Sequence, residues 1–441
     1  MSFYSYKKII NVAIPIIISG IAQNIVSVTD TIFLSRLNEN ILGAAGNAGI
    51  FYFFVIMIAQ GWCIGAQILM AKSNGAKEWK KIGSYFNQTL IFLLPVALFL
   101  LLIFKYVGPV IFSFLIKDTI TSNYAIEFLS YRKWGVFFAL LNFLFIAFYV
   151  SITNTKLISV VSIIMSIVNI ILDYLLIFGK FGFPEMGIKG AAIASVIAEG
   201  LAVLIFILSI NQSKINTYGI YKNLSLKINN IIDVIKMGTP VSLQFILSIG
   251  SWFSFFMFIE KLGTKELASA HIVRSIYMVL MIPLFGFSNT TNTLVGNLIG
   301  AGFISKIPQL IKRIILLCLG FTFISFIIIN LFPESILSLY TSDNHLMEYA
   351  KSSLFVIGFT MFFFSVAFIF FNVILGAGKT KLALLIESIT IIIYLSVVYL
   401  LTIVYPQKIA VVWTSEFVYF GVLGCLSYFG MKRYIFKKEK V

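Results

Sequence analysis

An amide and a carboxylate share one face of an apolar segment in the first half of the sequence. The segment Val160–Phe178 is long and apolar enough to cross a bilayer, yet Asn169 and Asp173 lie near its middle. Residues four positions apart lie one above the other on a helix, so the two side chains converge on one place. An ionised Asp at mid-bilayer costs about 2.5–3.5 kcal/mol, so such a carboxyl is usually buried in a helix bundle or faces a water-filled cavity. We interpret the pair as an ion- or proton-binding site.

The composition is that of a polytopic membrane protein. Of the 441 residues, 60% are hydrophobic and only 11% are charged, and the mean hydropathy is +1.00. A soluble domain has about a quarter of its residues charged. The net charge of +16 does not indicate nucleic acid, because Lys and Arg in a membrane protein report its orientation. Met1–Lys8 runs directly into a full-length span, so no cleavable signal peptide is expected.

Signals for other kinds of chemistry are weak. His271 and His345 are far apart and lack ligand spacing, so neither a metal site nor a catalytic triad is predicted. Gly376–Thr380 resembles the end of a phosphate-binding loop, but Val373 stands where its first glycine would be. The three cysteines fall in separate apolar spans, where small buried hydrophobes are the simplest interpretation. We expect no enzymatic activity and no cofactor beyond a coupling ion.

Apolar runs bounded by polar turns predict an all-α polytopic fold of about twelve membrane-spanning helices. The predicted spans are 9–34, 44–71, 84–104, 124–151, 157–179, 188–209, 234–259, 268–298, 309–331, 349–375, 382–404 and 409–431. They group into an N-lobe (1–210), a cytoplasmic linker (211–233), a C-lobe (234–431) and a basic cytoplasmic tail (432–441).

Basic residues predict the orientation. They concentrate at the N-terminus, in alternate loops and in the tail, which places both termini in the cytoplasm by the positive-inside rule. These residues are Lys7, Lys8, Lys72, Lys77, Lys80, Lys81, Lys156, Lys214, Lys222, Lys227, Lys306, Lys312, Arg313, Lys379, Lys381, Lys432, Arg433, Lys437, Lys438 and Lys440.

The two halves of the sequence are repeats. Pro240 follows Pro15 by 225 positions (240 − 15 = 225), and the same shift superposes residues over some 140 positions without a gap. The pairs include Gly75-Ala76 with Gly300-Ala301, Lys81-Ile82 with Lys306-Ile307, Asp118 with Asp343, Tyr124-Ala125 with Tyr349-Ala350, and Thr155–Leu157 with Thr380–Leu382. Because each repeat holds an even number of spans, we expect two pseudo-symmetric six-helix lobes related by an axis along the membrane normal, as in many alternating-access transporters.

The repeats differ at the charged positions. The shift brings Asp30 onto Phe255, Asn169 onto Tyr394 and Asp173 onto Val398. We therefore expect the ion chemistry to reside in the N-lobe alone.

Several motifs together resemble the multidrug and toxic compound extrusion (MATE) transporters over essentially the whole chain. In the first half they are AIPIIISGIAQNIVSVTDTIFLSRL, GAQILMAKSNGAKE and NIILDYLLIFGKFGFPEMGIKGAAIAS, and in the second half GTPVSLQF, LASAHIV, TNTLVGNLIGAG and LGAGKTK. The resemblance implies a V-shaped pair of lobes with a central cleft. It also implies export of cationic and amphipathic drugs, hence antibiotic resistance, in exchange for protons or sodium ions.

The resemblance also implies roles for individual residues. Asp30 and Pro15 are similar to the first-span aspartate and proline of the DinF-like branch, which form and respond to the N-lobe ion site. Asn169 and Asp173 resemble the fifth-span pair, and Ser195 falls at the sixth-span hydroxyl position. For Asp30 the alternative is a helix-end or capping carboxylate, and for Pro15 a proline tolerated in a membrane helix.

The NorM-like branch of that family also carries acids in its seventh and tenth spans. Here the seventh span offers Gln244 and Ser248, and the tenth has no acid between Leu354 and Leu375. This departure argues against a C-lobe cation site and favours the DinF-like arrangement.

Other polar residues lie inside predicted spans. Gln23, two turns before Asp30, is a candidate for lining the same cavity. Glu199 is either a cavity or coupling residue or a protonated, hydrogen-bonded packing group. Arg274 either extends outward or pairs with Glu416.

Aromatic residues suit the expected substrates. Most of the 45 phenylalanines must face lipid or pack against one another, but Phe255 and Phe256 lie on a C-lobe helix at the depth of a cleft. With Gln244, they are our candidate substrate contacts, through stacking and cation–π attraction.

We expect a monomer in the bacterial cytoplasmic (inner) membrane, with small amphipathic cations and membrane lipids as its partners and no nucleic acid. The alternative is a lipid-linked oligosaccharide flippase of the same wider superfamily, which has a more cationic cavity. A membrane-embedded enzyme or channel would need a polar catalytic cluster or a charged ring, and the sequence shows neither.

Overall fold

The described residues of the computed structural model, 5–210, 216–222 and 224–436, form helices and no β-strand. The helices are α1 (Tyr6–Ser35), α2 (Glu39–Gly75), α3 (Trp79–Leu102), α4 (Gly108–Leu115), α5 (Thr119–Arg132), α6 (Gly135–Ser151), α7 (Lys156–Phe178), α8 (Ile188–Ile210), α9 (Ile228–Glu260), α10 (Thr264–Gly300), α11 (Ile307–Leu331), α12 (Pro333–Leu337), α13 (Asn344–Gly376), α14 (Thr380–Tyr399), α15 (Ile409–Trp413) and α16 (Ser415–Met431). Short π-helical segments follow α3, α14 and α16.

The prediction of about twelve spans is confirmed. In the described part of the chain, eleven helical segments are long and apolar enough to cross a membrane, and α5 with α6 makes a twelfth if that bent pair is one span. The pair bends by 57°, where a single helix over 124–151 was predicted. At the bend the backbone amides of Trp134 and Val136 donate to carbonyls three residues earlier, which interrupts the α-helical ladder.

The repeat reappears in the helix boundaries. The shift of 225 carries α2 onto α10. It also carries the first residue of α5 onto the first residue of α13, and the last residue of α6 onto the last residue of α13. The equivalent residues Asp118 and Asp343 both cap the helix that follows, by accepting hydrogen bonds from backbone amides of its first turn. Hydrogen bonds from the hydroxyl and the amide of Thr121 lower the pKa of Asp118. Local capping chemistry therefore starts the same helix in each repeat.

The helices form two compact units. The N-terminal unit is Ile18–Ser242, and the C-terminal unit comprises the chain up to Ile17 together with the chain from Leu243 onward. The chain thus changes units inside α1 and again inside α9, at positions 225 residues apart, and each change comes two residues after a proline. The first half of α1 therefore belongs to the C-terminal unit, and the first half of α9 to the N-terminal unit. The predicted lobe bounds of 1–210 and 234–431 did not include this exchange.

Glycines allow these exchanged half-helices to pack closely. In the N-terminal unit, a Cβ atom on Gly61 would lie 2.5 Å from the backbone nitrogen of Ser242, and one on Gly65 would lie 2.6 Å from that of Gly238. In the C-terminal unit a Cβ atom on Gly286, the repeat equivalent of Gly61, would clash with the side chain of Ile17, the equivalent of Ser242. At Gly61 and Gly65 only glycine lets the two backbones approach so closely.

The connection between the repeats is fastened to α3. The buried amide of Asn87 donates to the carbonyl oxygens of Gly219 and Lys222 at 3.3 and 3.0 Å. The next residue, Gln88, donates to the Ser225 carbonyl at 2.9 Å and accepts from the Lys227 amide at 2.8 Å. The predicted linker at 216–222 and 224–227 is thus an ordered part of the N-terminal unit. Its Lys214 and the last tail residues, 437–441, lie outside the described residues.

Candidate ion-binding site

A row of polar side chains on α7 faces α1 within the N-terminal unit. The hydroxyls of Ser162 and Ser19 are 2.6 Å apart, and Ser166 donates to the carbonyl oxygen of Ala22 at 3.0 Å. These two contacts set the register of α7 on α1. Continuing the row by steps of three and four residues leads to Asn169 and Asp173 on the same face.

The structure brings Asp30 and Asp173 together. Their carboxyl groups lie within hydrogen-bonding reach of each other, Asp173 is fully buried, and Asp30 is partly buried. An ionised carboxylate has no donor, so a hydrogen bond between them would need a proton on one of the two groups. One oxygen of each residue, Oδ1, is buried without a partner. The pair therefore has a place for one proton and free acceptors for a second proton or a small cation.

Asn169 and Ser195 complete the surroundings of the pair. With its amide oriented to suit its neighbours, Asn169 donates to Oδ2 of Asp173 at 3.3 Å and accepts from the backbone amide of Ser195 at 3.2 Å. Ser195 thus reaches the site through its main chain, where a hydroxyl had been expected. The approach depends on Gly190, where a Cβ atom would lie 2.7 Å from the main chain of Leu176 on α7.

Glu199 is ion-paired. Its carboxylate accepts two hydrogen bonds from Arg132, at 2.9 and 2.5 Å, and the guanidinium lies 4.1 Å from the centre of the Tyr52 ring. This ion pair argues against the alternative of a protonated packing group, because Arg132 supplies the opposite charge. Arg132 ends α5 at the bend before α6, and the pair joins that bend to α8.

The other N-lobe candidates lie along α1. Gln23 is largely exposed and donates to Ser19 at 3.4 Å, so its amide is close to the polar row between α1 and α7. Pro15 is buried inside α1. The structure thus places both on the helix that carries Asp30, with Pro15 in the half that belongs to the C-terminal unit.

The candidate substrate contacts are differently accessible. Phe255 is 1% exposed and packs against Tyr394 and Trp413, so its ring has no exposed face in this structure. Gln244 is 6% exposed and donates to the Thr380 carbonyl at 3.4 Å. Phe256 is partly exposed. Of the three, only Phe256 offers its ring to a ligand here.

Phe256 also has basic neighbours. Its ring stacks on His271, with the ring centres 4.9 Å apart, and the Arg274 guanidinium lies 5.1 Å from its centre. Arg274 therefore contacts an aromatic ring, while Glu416 accepts from tyrosine hydroxyls.

Buried carboxyls also occur in the C-terminal unit. Glu387 and Glu416 are 3% and 5% exposed, so buried acids are not confined to the first repeat. The shift of 225 matches Asp30, Asp173 and Glu199 to uncharged residues, and the buried C-terminal acids lie at other positions, on α14 and α16. The presence of Glu387 and Glu416 inside apolar helices was the sequence signal for this second set of acids. Likewise, Ser162 and Ser166 were the sequence signal for the polar row on α7.

A doubled set of membrane-spanning helices around buried carboxyls defines a transporter of the inverted- or parallel-repeat class. The model of the MatE family matches residues 15–175 and 240–400, two segments related by the same shift of 225. The chain belongs to this family, that of the multidrug and toxic compound extrusion transporters, and it is a multi-pass membrane transporter and not an enzyme.

Known proteins resemble the chain over most of its length. A probable multidrug resistance protein NorM of Thermotoga maritima is 26% identical over 390 residues, 87% of this chain and 83% of the relative. The protein of the same name from Photorhabdus laumondii is 26% identical over 385 residues, 85% of this chain and 83% of the relative.

Solved structures share the fold. A MOP superfamily transporter from Pyrococcus furiosus, described as having a binding pocket of reversed polarity, superposes with a TM-score of 0.92 at 18% identity. A multidrug resistance MATE family transporter in an outward-facing conformation gives the same score and identity. Each comparison covers 99% of this chain and 97% of the other.

Proposed function

We propose that this protein exports amphipathic, often cationic, compounds from the bacterial cytoplasm in exchange for protons or sodium ions that bind at Asp30 and Asp173. The observation that carries the proposal is the close approach of these two carboxyls, since a proton shared between them changes the charge of the pair when it leaves. The names of the relatives, multidrug resistance proteins, support the substrate class.

In the proposed cycle, ion binding from outside drives substrate release. A proton or sodium ion neutralises the Asp30–Asp173 pair, with Asn169 and Ser195 adding neutral polar groups for a cation. Neutralisation removes the charge that favours a hydrated, open arrangement around α1, and α1 changes conformation near Pro15. One charge moving through about 100 mV yields about 2.3 kcal/mol, enough for about 50-fold accumulation of substrate.

The arrangement favours the DinF-like branch of the family. Asp30 and Pro15 lie on α1 with Asp173 facing Asp30, and the tenth-span helix α13 has no acid between Leu354 and Leu375. We further propose a monomer in the bacterial cytoplasmic membrane, surrounded by lipid, with both termini in the cytoplasm.

The test is a single substitution, Asp173→Asn, assayed in everted vesicles with a fluorescent cationic dye added outside, so that export appears as accumulation of dye in the lumen. We expect loss of dye accumulation driven by either a proton or a sodium gradient, because the amide cannot change charge. Asp118→Asn is the matched control, since Asp118 is an exposed helix cap that should leave transport intact. Unchanged accumulation in Asp173→Asn vesicles would remove this residue from the mechanism, and transport of a lipid pyrophosphate would favour the flippase instead.

A further inference from the structure

A second set of buried protonatable groups lies inside the C-terminal unit. The carboxylate of Glu416, on α16, accepts hydrogen bonds from the hydroxyls of Tyr394 on α14 at 2.9 Å and of Tyr277 on α10 at 3.2 Å. Tyr277 is fully buried and Tyr394 is 3% exposed. Three helices therefore enclose one carboxyl.

Glu387 continues the set. Its Oε1 accepts from the hydroxyl of Tyr419 at 2.6 Å and from that of Ser248 at 3.0 Å. Its Oε2 is buried and has no partner, although the residue is only 3% exposed. The rings of Tyr419 and Tyr394 are 5.4 Å apart, so the two carboxyls are connected through adjoining tyrosines.

No positive charge balances these carboxyls. Among the described residues, neither has a Lys, Arg or His nitrogen within 4.0 Å, and the titratable side chains that interact with them are Tyr277, Tyr394 and Tyr419. Burial of an unpaired carboxylate in a membrane protein is costly even with hydroxyl donors. The neutral acid is the low-cost form, and Oε2 of Glu387 remains available to carry a proton.

The basic residues nearby on α10 are engaged elsewhere. The guanidinium of Arg274 lies against the ring of Phe256, and His271 stacks on the same ring. The charged residues of α13, Glu348 and Lys351, lie near the start of that helix, and Lys381 lies in the first turn of α14. None of them forms an ion pair with Glu387 or Glu416.

The repeat supports a functional interpretation of this set. Tyr394 is the equivalent of Asn169, the residue that binds Asp173, and Tyr277 is the equivalent of Tyr52 beside Arg132. At both of these repeat positions the side chain is polar in each unit. In the C-terminal unit both tyrosines bind Glu416, whereas in the N-terminal unit Asn169 binds Asp173 and Tyr52 lies beside the ion pair of Arg132 and Glu199. The acids themselves are not equivalent across the repeat: Glu387 on α14 corresponds to Ser162, and Glu416 on α16 corresponds to Ala191.

We propose that Glu416 and Glu387 form a second proton-binding centre, separate from Asp30 and Asp173 and built by the C-terminal unit. Uptake forms one O–H bond between a proton from water and a carboxylate oxygen, and release returns that proton to water. The tyrosine hydroxyls donate to the ionised carboxylate and turn away from an oxygen that becomes protonated. The partly exposed Tyr419 and Ser248 connect Glu387 to the surface of the unit.

The experiment detects protonated carboxyl groups by infrared spectroscopy of the full-length protein in lipid nanodiscs, as pH is varied. In the Asp30→Asn, Asp173→Asn background, we expect a carboxylic C=O band that still titrates. Adding Glu416→Gln and Glu387→Gln should remove the part of that band that these two groups contribute, measured as the difference between the two proteins at each pH, because the remaining acids also absorb when protonated. Gln keeps an oxygen that accepts from the tyrosines but cannot take up a proton. Glu334→Gln, at an exposed surface ion pair, is the control and should leave the band unchanged.

A second variant covers failure of the glutamine substitutions to fold. Tyr277→Phe with Tyr394→Phe retains both acids and removes two donors, and should shift the midpoint of the band by about one pH unit. A band that is the same with and without Glu416 and Glu387, or a midpoint that does not move in the tyrosine variant, would overturn the proposal. Because the measurement needs no transport, its failure leaves the Asp30–Asp173 proposal standing, and loss of transport in Asp173→Asn does not affect its outcome.

Discussion

At the scale of single residues, neighbouring buried acids in the N-terminal unit have different electrostatic partners. Glu199 has a bidentate ion pair with Arg132, whereas Asp30 is attracted to Arg132 only at longer range and faces Asp173, which contacts Asn169. A carboxylate with a fixed counterion stays charged and holds helices in place. A carboxyl without one can exchange a proton or bind a cation, which is the role that we propose for Asp30 and Asp173.

Removing one side of the ion pair should destabilise the fold. Glu199→Gln leaves the Arg132 guanidinium partly buried without its carboxylate, and we expect a loss of about 3–5 kcal/mol, seen as a lower Tm in detergent. The pair Glu127–Lys189 joins the same two helices at the surface, so Glu127→Gln is the control and should leave Tm unchanged. Equal Tm values for the two variants would show that the ion pair of Arg132 and Glu199 stabilises the fold no more than the surface pair does.

At the scale of helices, close crossings at glycine position the site. α8 meets α7 at Gly190, and this approach lets the Ser195 amide reach Asn169. A helix pair held at a larger distance would leave the Asn169 carbonyl without its donor. The position of the site therefore depends on a residue that has no functional group.

Gly190→Ala should disturb both stability and transport. The added methyl group would lie 2.7 Å from the Leu176 main chain, so the helices must separate, at a cost of about 1–3 kcal/mol. Gly200→Ala, on the same helix, places its methyl 3.5 Å from the Phe138 ring, an ordinary contact, and serves as the control. Tm and dye accumulation measure the two effects, and a Gly190→Ala protein with normal values of both would contradict this role.

The paired prolines allow a test of the exchanged half-helices. Pro15 and Pro240 each precede by two residues the point where the chain changes units, so Pro15→Ala and Pro240→Ala should lower transport by a similar factor. Each proline removes a backbone hydrogen bond and weakens its helix against bending. Pro95→Ala, in the exposed part of α3, is the control and should transport normally. Loss of transport in only one of the two variants would show that the repeat equivalence does not extend to function.

At the scale of the whole molecule, duplication supplied one scaffold twice while the polar clusters diverged. Helix boundaries, caps and glycine crossings agree across the shift of 225, whereas Asp30 and Asp173 have uncharged equivalents. Apolar packing positions and helix starts are retained because each unit needs them to fold. The charged positions were free to differ once each unit could bury its own set of acids.

The orientation can be tested with single cysteines in a background without the three natural ones. The basic loops should be cytoplasmic, so Lys80→Cys should react with a membrane-impermeant maleimide only after cells are broken open. Lys180→Cys, in the loop between α7 and α8 on the opposite side, should react in intact cells, and both residues are exposed in the structure. Labelling with the reverse pattern would show that both termini face outward.

Much of this protein was readable from the order of its residues. Hydrophobic run lengths predicted the spans because a bilayer demands about twenty apolar residues per helix. The ungapped shift of 225 predicted the repeat, and the four-residue spacing of Asn169 and Asp173 predicted that both face one place.

Other features depended on contacts between residues distant in sequence. That Glu199 pairs with Arg132, that Glu416 meets Tyr277 and Tyr394, and that Ser195 contributes its main chain were decided by how the helices cross. Helical periodicity specifies which face a side chain occupies, but the partner on the facing helix is set by its rotation and its distance, and these follow from packing of the whole unit.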